Sequence, residues 1–242
     1  MHLDVIEIRD FYSRPLGCKV RRQVGAQMRA FWPSGVGFSM AGVGYAGPYL
    51  RPFLPECDEL MLFSPAGQGS LLWPKEGPKR TVLVDEDMLP VKDACFDRVL
   101  EIHALEFFAD AEAHLREIWR VMRPEGRLLL VVPNRSGLWA RLDTTPFGYG
   151  HPFSRGQLHD LLVQTWFRPL HVQSLVHFAP FQGALRLTAS SAFEKIGAKV
   201  WPRFSGMLMV EAIKEVAQPI RPKGARQKAV KHPNIQVQPV PV

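Results

Sequence analysis

The sequence predicts one α/β domain built on a doubly wound, mainly parallel sheet with helices on both faces. Short apolar segments alternate with amphipathic helical segments along most of the chain, as in repeated strand–helix units. A glycine-rich turn directly follows the first apolar segment. The 242 residues are 46% hydrophobic and 22% charged, which suits one core and is short for two domains.

Seven strands are expected in this sheet. The candidate segments are residues 36–41, 59–63, 80–84, 98–102, 127–132, 171–178 and 206–212. We expect right-handed connections between the parallel strands and a late strand that runs antiparallel.

Helical segments flank these strands. Residues 1–33 form a helical lead-in with one break. Asp110 is expected to cap a helix that ends at the turn beginning with Pro124, and Ser154 is expected to cap another. Residues 184–200 are predicted to form a helix of mixed character.

The net charge of +7 is concentrated near the end of the chain. Residues 218–242 contain five basic residues and no acids, so residues 1–217 carry only +2. We therefore predict a single domain over residues 1–217 and a basic, disordered tail over residues 218–242. A basic tail can contact nucleic acid or anionic lipid, but the nearly neutral domain argues against nucleic acid as a partner.

Composition also argues against several protein classes. The three cysteines are an odd number without CxxC spacing, so we expect neither a disulfide framework nor a metal site. No apolar run approaches the roughly 20 residues of a transmembrane helix. The first ten residues include acids and no uninterrupted apolar stretch, so no secretory signal is expected. Together these features predict a cytoplasmic protein.

The turn Gly42-Val43-Gly44-Tyr45-Ala46-Gly47 has the spacing GxGxxG. Such a turn lets a ligand approach the backbone closely, with amide groups aimed at it from a helix start. A nicotinamide dinucleotide site also needs an acid at the end of the second strand, about 20 residues further on. Here that strand ends in Leu62-Phe63-Ser64, while Asp58 and Glu59 lie at its start. This pattern counts against NAD.

Three later segments carry a more specific signal. They are Asp85-Glu86-Asp87-Met88-Leu89-Pro90, residues 95–100, and residues 115–130. Their succession resembles the type 11 group of class I S-adenosylmethionine-dependent methyltransferases, whose segments read D-x-x-x-L-P, F-D-x-V and L-R-E-I-x-R-V-L-K-P-G-G. The likeness covers residues 34–133. It implies a Rossmann-like methyltransferase fold with strand order 3-2-1-4-5-7-6, S-adenosylmethionine as cofactor and a small-molecule acceptor.

The resemblance also implies which residues bind the cofactor. Asp85 matches the family acid near the exocyclic amine of adenine, and the backbone of Glu86 is expected to reach the ring. The complete set of expected cofactor-binding residues is Gly42, Gly44, Tyr45, Asp85, Glu86, Met88, Leu89 and Glu101.

The sequence departs from the family pattern at the glycine loop. Met40 replaces the acid of D-x-G-x-G-x-G, and Ala46 replaces its third glycine. Leu62 stands near the place of the acid that holds the two ribose hydroxyls. An apolar side chain cannot accept those hydrogen bonds, so cofactor binding should weaken unless another group replaces the acid. Candidate replacements are Glu59, Ser64 and Gln68.

Three side chains are candidates for chemistry on the acceptor. His103 follows the fourth strand at the ligand edge of the sheet, where a general base would stand. Tyr149 and His151 lie in a glycine-rich loop that we interpret as a candidate lid. The alternatives are a histidine that packs under the next loop, and an ordinary ordered loop whose glycines serve turns.

Two functions of different classes remain open from the sequence. The first is methyl transfer from S-adenosylmethionine to a small or lipophilic acceptor, for which positioning alone supplies much of the acceleration. The second is a non-catalytic relative that keeps the fold as an interaction or regulatory module. Met40 and Leu62 keep the second function open, since fold does not decide activity.

Overall fold

The computed structural model describes residues 3–86, 88–142, 144–178 and 205–216. Its seven strands form one sheet with the order β3-β2-β1-β4-β5-β7-β6. They are β1 Ser39–Gly44, β2 Glu59–Pro65, β3 Thr81–Val84, β4 Phe96–Ile102, β5 Met122–Pro133, β6 Phe167–Leu175 and β7 Met207–Lys214. Strands β1 to β5 pair in parallel, and β7 pairs antiparallel with both β5 and β6. The predicted fold class and strand order are confirmed.

The described residues contain five α-helices: α1 Val5–Ser13, α2 Pro15–Phe31, α3 Gly47–Leu50, α4 Ala111–Val121 and α5 Arg155–Gln164. Two predicted helix starts are confirmed by their capping contacts. The Asp110 side chain accepts a hydrogen bond from the Ala113 amide, and Ser154 forms a capping box with Gln157. None of these helices is long and apolar enough to cross a membrane.

The predicted end of α4 is wrong. The helix ends at Val121, and Met122 already belongs to β5, where it pairs with Phe96 of β4. The Cys95 amide donates a hydrogen bond to the Val121 carbonyl, which fixes the chain between helix and strand. Pairing across the sheet therefore ends the helix before the Pro124 turn, because the strand takes the backbone groups that another helical turn would use.

Alternating side chains of the strands pack into two cores, one on each face of the sheet. In β5, Leu128 and Leu130 join the core beneath α4 and α5, whereas Leu129 and Val131 join the opposite core. This alternation follows from the two-residue period of a strand, and burial on both faces explains the long apolar run.

The predicted lead-in belongs to the core that contains Leu129 and Val131, here called the second core. Ile8 and Tyr12 of α1 and Val20 and Met28 of α2 are buried against the sheet. The break between the helices lies at Arg14, whose backbone is extended, and Pro15 occupies the first turn of α2.

Several predicted elements have other bounds in the structure, and two predicted segments lie outside its described part. The first strand begins at Ser39 rather than at residue 36, and the sixth runs over Phe167–Leu175 rather than 171–178. The predicted helix over residues 184–200 and the tail over residues 218–242 are outside the described residues.

Candidate active site

The carboxyl ends of β1 and β4 meet at the middle of the sheet, where the strand order reverses and ligands bind in folds of this kind. The Tyr45 amide donates to the Ile102 carbonyl at 2.9 Å. Gly44 has φ +70°, and a Cβ added there would lie 2.5 Å from the same carbonyl oxygen. Gly44 is therefore needed for the two strand ends to approach each other.

The first glycine of the turn, Gly42, is in close contact with the chain's own side chains. A Cβ added there would lie 2.5 Å from Leu50 Cδ1, 2.7 Å from Ala46 Cβ and 2.9 Å from Leu62 Cδ1. Leu62 is buried and pairs with Gly42 in the β1–β2 register. The side chains of Leu50, Ala46 and Leu62 therefore form an apolar wall beside Gly42. These side chains offer no acceptor for a ribose hydroxyl.

Three side chains form a hydrogen-bonded chain beside the turn. Tyr12 Oη lies 2.8 Å from His103 Nε2, and His103 Nδ1 lies 3.0 Å from Glu106 Oε1. All three side chains are 0% exposed. Burial raises the pKa of the Tyr12 phenol well above its usual value, so the phenol keeps its proton. In the imidazole tautomer in which Nε2 accepts from this phenol, Nδ1 carries the ring proton and donates to Glu106.

Aromatic rings enclose this hydrogen-bonded chain. The Tyr12 and Tyr45 rings stack with centroids 5.2 Å apart and an angle of 11°. Phe147 meets the His103 ring at 5.3 Å and the Phe11 ring at 5.6 Å. The space around Tyr12, Tyr45 and His103, here called the inner half of the crevice, is thus occupied by side chains of the protein.

Buried polar groups of β2 border the inner half. Gln68 follows β2, is buried, and donates from Nε2 to the His103 carbonyl at 2.6 Å. Ser64 is buried near the carboxyl end of the same strand, while Glu59 begins it at the opposite edge of the sheet. Of the three candidate replacements for the ribose acid, only Ser64 and Gln68 lie on the ligand edge.

A cleft of about 490 Å³ opens next to the inner half. It lies where β2 and β3 end and α4 begins, and we call it the outer cleft. Its lining residues are Ala66, Gly67, Asp85, Glu86, Ala109, Asp110 and Ala113. Asp85 and Met88 form an isolated antiparallel bridge that shapes the loop after β3.

A buried ion pair between α4 and β4 holds the loop after β3 in place. His114 Nε2 of α4 lies 3.2 Å from Glu101 Oε1 of β4, and both side chains are buried. His114 Nδ1 lies 2.6 Å from the carbonyl oxygen of Glu86. Burial lowers the pKa of His114, but Glu101 and Glu86 together outweigh this effect, and the pKa is raised above 6.5. The imidazolium can then serve both partners, because each of its nitrogens carries a proton.

Solved structures share this architecture. A chain of the complex between the Haloferax volcanii Trm112 methyltransferase activator and a methyltransferase has a TM-score of 0.59 at 16% identity, covering 81% of this chain and 91% of that one. An S-adenosylmethionine-dependent methyltransferase from Archaeoglobus fulgidus has a TM-score of 0.57 at 16% identity, covering 80% and 94%. The [4+2]-cyclase SpnF has a TM-score of 0.52 at 18% identity, covering 81% of each chain. At these identities the likeness establishes the fold.

Part of the sequence also matches a known family. A family model described as a methyltransferase domain, type 11, matches residues 58–130, which contain the segments around Asp85, Phe96 and Leu115. Over these residues the chain is similar to the type 11 group of class I S-adenosylmethionine-dependent methyltransferases. No curated protein matches it.

The two parts of the crevice differ in how they fit S-adenosylmethionine. The outer cleft fits adenine, since Asp85 offers a carboxylate and Glu86 a backbone edge beside small side chains. The inner half does not fit the rest of the cofactor in this arrangement, because Tyr12 and His103 fill it and Leu62 replaces the ribose acid. No described group of three or more metal-ligating side chains could hold a metal ion.

The predicted cofactor-binding residues do not all lie at one site. Asp85 and Glu86 line the outer cleft, and Gly42, Gly44 and Tyr45 border the filled inner half. Met88 is 65% exposed on the far side of its loop, and Leu89 is buried with its amide bonded to Glu117. Glu101 faces α4, where it pairs with His114 rather than facing the crevice.

The three predicted catalytic side chains differ in their burial. His103 is buried with Tyr12 on one nitrogen and Glu106 on the other. Tyr149 is half-buried against the second core, whereas the His151 side chain is exposed. The loop that carries them docks through its backbone, with the His151 amide donating to the Glu106 carbonyl at 2.6 Å.

Sequence reasoning missed Tyr12, Glu106 and His114. Tyr12 and His114 lie on apolar helix faces, where their spacing marks them as buried but names no partner. A buried tyrosine or histidine needs a hydrogen-bond partner. The predicted burial of Tyr12 and His114 could therefore have marked them as members of a buried polar network.

Proposed function

We propose that this protein transfers the methyl group of S-adenosylmethionine to a small or lipophilic acceptor. The outer cleft carries the proposal, because the family's adenine-side acid, Asp85, lines an open site there. The surroundings of His103 are aromatic, with Phe11, Trp139 and Phe147 buried there, and this apolar character supports a lipophilic acceptor over a charged one.

In this proposal the residues of the outer cleft bind the adenine of the cofactor and orient it. Asp85 accepts a hydrogen bond from the exocyclic amine of adenine, and the Glu86 backbone meets the ring edge. His114 keeps Glu86 in place through its carbonyl oxygen. When bound, the cofactor supplies an electrophilic methyl group on a sulfonium, and alignment of the acceptor with it supplies much of the acceleration.

Calorimetric titration with S-adenosylhomocysteine tests the proposal. We expect saturable binding to the wild type, and about tenfold weaker binding to Asp85→Asn, because a charge-assisted hydrogen bond is lost. Asp160→Asn is the matched control, since Asp160 is an exposed carboxylate on α5. Equal affinities for wild type and Asp85→Asn would remove Asp85 from the site.

The second function is a non-catalytic relative that acts as an interaction or regulatory module. Two observations favour it, the apolar Leu62 at the ribose position and the filled inner half. Failure of S-adenosylhomocysteine to bind the wild type and the Tyr12 variants introduced below would establish this second function as the better account.

The cellular setting is also part of the proposal. The three free cysteines suit a reducing compartment, which supports a cytoplasmic location. The nearly neutral charge of residues 1–217 supports a small-molecule acceptor over nucleic acid.

A further inference from the structure

We propose that α1 is a latch, with Tyr12 occupying the inner half of the crevice at rest and leaving it to admit the cofactor. This inference rests on the proposed function and adds a mode of control to the same site. Its starting observation is that Tyr12 touches both strand ends that define the crevice. The Tyr12 ring stacks on Tyr45 after β1, and the Tyr12 hydroxyl meets His103 after β4.

Hydrogen bonds link several polar groups of the inner half, while Glu106 Oε2 is buried without a hydrogen-bond partner among the described residues. Tyr12 Oη contacts His103 Nε2, His103 Nδ1 contacts Glu106 Oε1, and Gln68 donates to the His103 carbonyl. Such a network favours the closed state, because breaking one bond leaves a buried donor or acceptor unpaired. A cofactor entering this space must supply replacement contacts for the groups that Tyr12 leaves.

His103 has an unusual backbone that fits this role. Its φ is +53°, a conformation that costs energy for a residue with a side chain. The conformation directs the ring between Tyr12 and Glu106, as their two hydrogen bonds show. Those contacts help to stabilise it.

The chain also offers a hinge. Arg14 is extended between α1 and α2, and Pro15 begins α2. α1 has its own N-terminal cap, Asp4, whose carboxylate accepts from the Ile6 amide at 2.7 Å. Rotation about a few backbone torsions at Arg14 would move α1 relative to α2, and it would expose the apolar side chains Val5, Ile8 and Phe11 that α1 buries in the closed state.

The latch has a defined thermodynamic consequence. If only a fraction of molecules is open, the apparent dissociation constant of the cofactor equals the intrinsic constant divided by that fraction. Weakening the closed state without touching the outer cleft should then tighten binding. Removal of one hydrogen bond from the closed state is worth about a tenfold change.

The experiment compares S-adenosylhomocysteine binding by the full chain and its variants. Tyr12→Phe keeps the ring but removes the hydroxyl that binds His103, and we expect about tenfold tighter binding. Tyr12→Ala also removes the ring and should show the larger gain, with circular dichroism to verify folding. Ser13→Ala is the matched control, because it removes a hydroxyl of α1 that bonds within the helix, to the Arg9 carbonyl.

Hydrogen exchange of the wild type supplies a second measurement. On addition of S-adenosylhomocysteine, amides of Val5–Ser13 should exchange faster, while those of α5 should not change. Increased protection of α1, or equal affinity of the wild type and Tyr12→Phe, would overturn the latch and leave the proposed function standing. An absence of binding in the wild type and both Tyr12 variants would overturn the proposed function, and the latch with it.

Discussion

At the scale of single residues, Gly44 shows how a motif glycine can serve the fold. Gly44 has a positive φ, and an added Cβ would lie 2.5 Å from the Ile102 carbonyl oxygen. Both features disfavour any residue with a side chain at this position. The sequence presented Gly44 as a place where a ligand meets the backbone. In the structure, the backbone of β4 lies where such a ligand would contact Gly44. Glycine is therefore required at this position by the packing of the two strand ends.

Gly44→Ala should therefore lower the free energy of unfolding by about 2 kcal/mol or more, from the left-handed backbone and the added contact. Urea denaturation measures this change. Gly25→Ala is the matched control, since Gly25 lies within α2 and an added Cβ meets nothing within 4 Å. That change should stabilise the protein by about 0.5–1 kcal/mol. Equal effects of the two substitutions would contradict this account of Gly44.

At the scale of elements, the contact between α4 and the loop after β3 depends on one charged pair. His114 joins Glu101 of β4 to the Glu86 carbonyl, so a helix, a strand and a loop meet at one imidazole. Because the folded-state pKa is raised above 6.5, protonation stabilises the folded protein. The contribution is complete below the unfolded pKa and is lost as the pH rises through the folded pKa.

The difference in unfolding free energy between the wild type and His114→Gln should accordingly be largest below pH 6.5 and shrink as the pH rises above the raised pKa. Denaturation at a series of pH values measures it. His159→Gln is the control, because His159 is exposed on α5 and lies outside this buried contact. A difference for His114→Gln that is constant with pH would show that the pair is not an ion pair.

At the scale of the whole molecule, the crevice is divided between an open outer cleft and a filled inner half. The division follows from topology, because α1 reaches the switch point between β1 and β4 while the outer cleft lies at β2 and β3. The domain boundary at residue 217 stays a prediction of the sequence.

Deletion of residues 218–242 should leave the melting temperature nearly unchanged, because this segment has no apolar periodicity from which to build a packed face. Calorimetry of the full chain and the truncated chain measures the difference. A drop comparable to that of a core substitution, several degrees, would place part of the tail within the folded domain.

Much of the fold could be predicted because its signals are local. The starts at Asp110 and Ser154 depend on a side chain and an amide three residues apart, and the structure contains both contacts. The apolar runs of the central strands reflect burial on both faces. The end of α4 was predicted wrongly because Met122 joins a strand through pairing with Phe96, which lies far away in sequence.

The sequence by itself determined the sheet and, through the type 11 resemblance, its strand order, and it predicted Asp85 as a cofactor-side acid. Only the tertiary structure decided what occupies the crevice. Tyr12 and His103 are separated by 91 positions along the chain, and helical spacing predicts that a residue is buried without naming its partner. The partner of a buried polar group is whatever donor or acceptor the folded chain brings within hydrogen-bond distance, and that depends on the packing of α1 against the ends of β1 and β4.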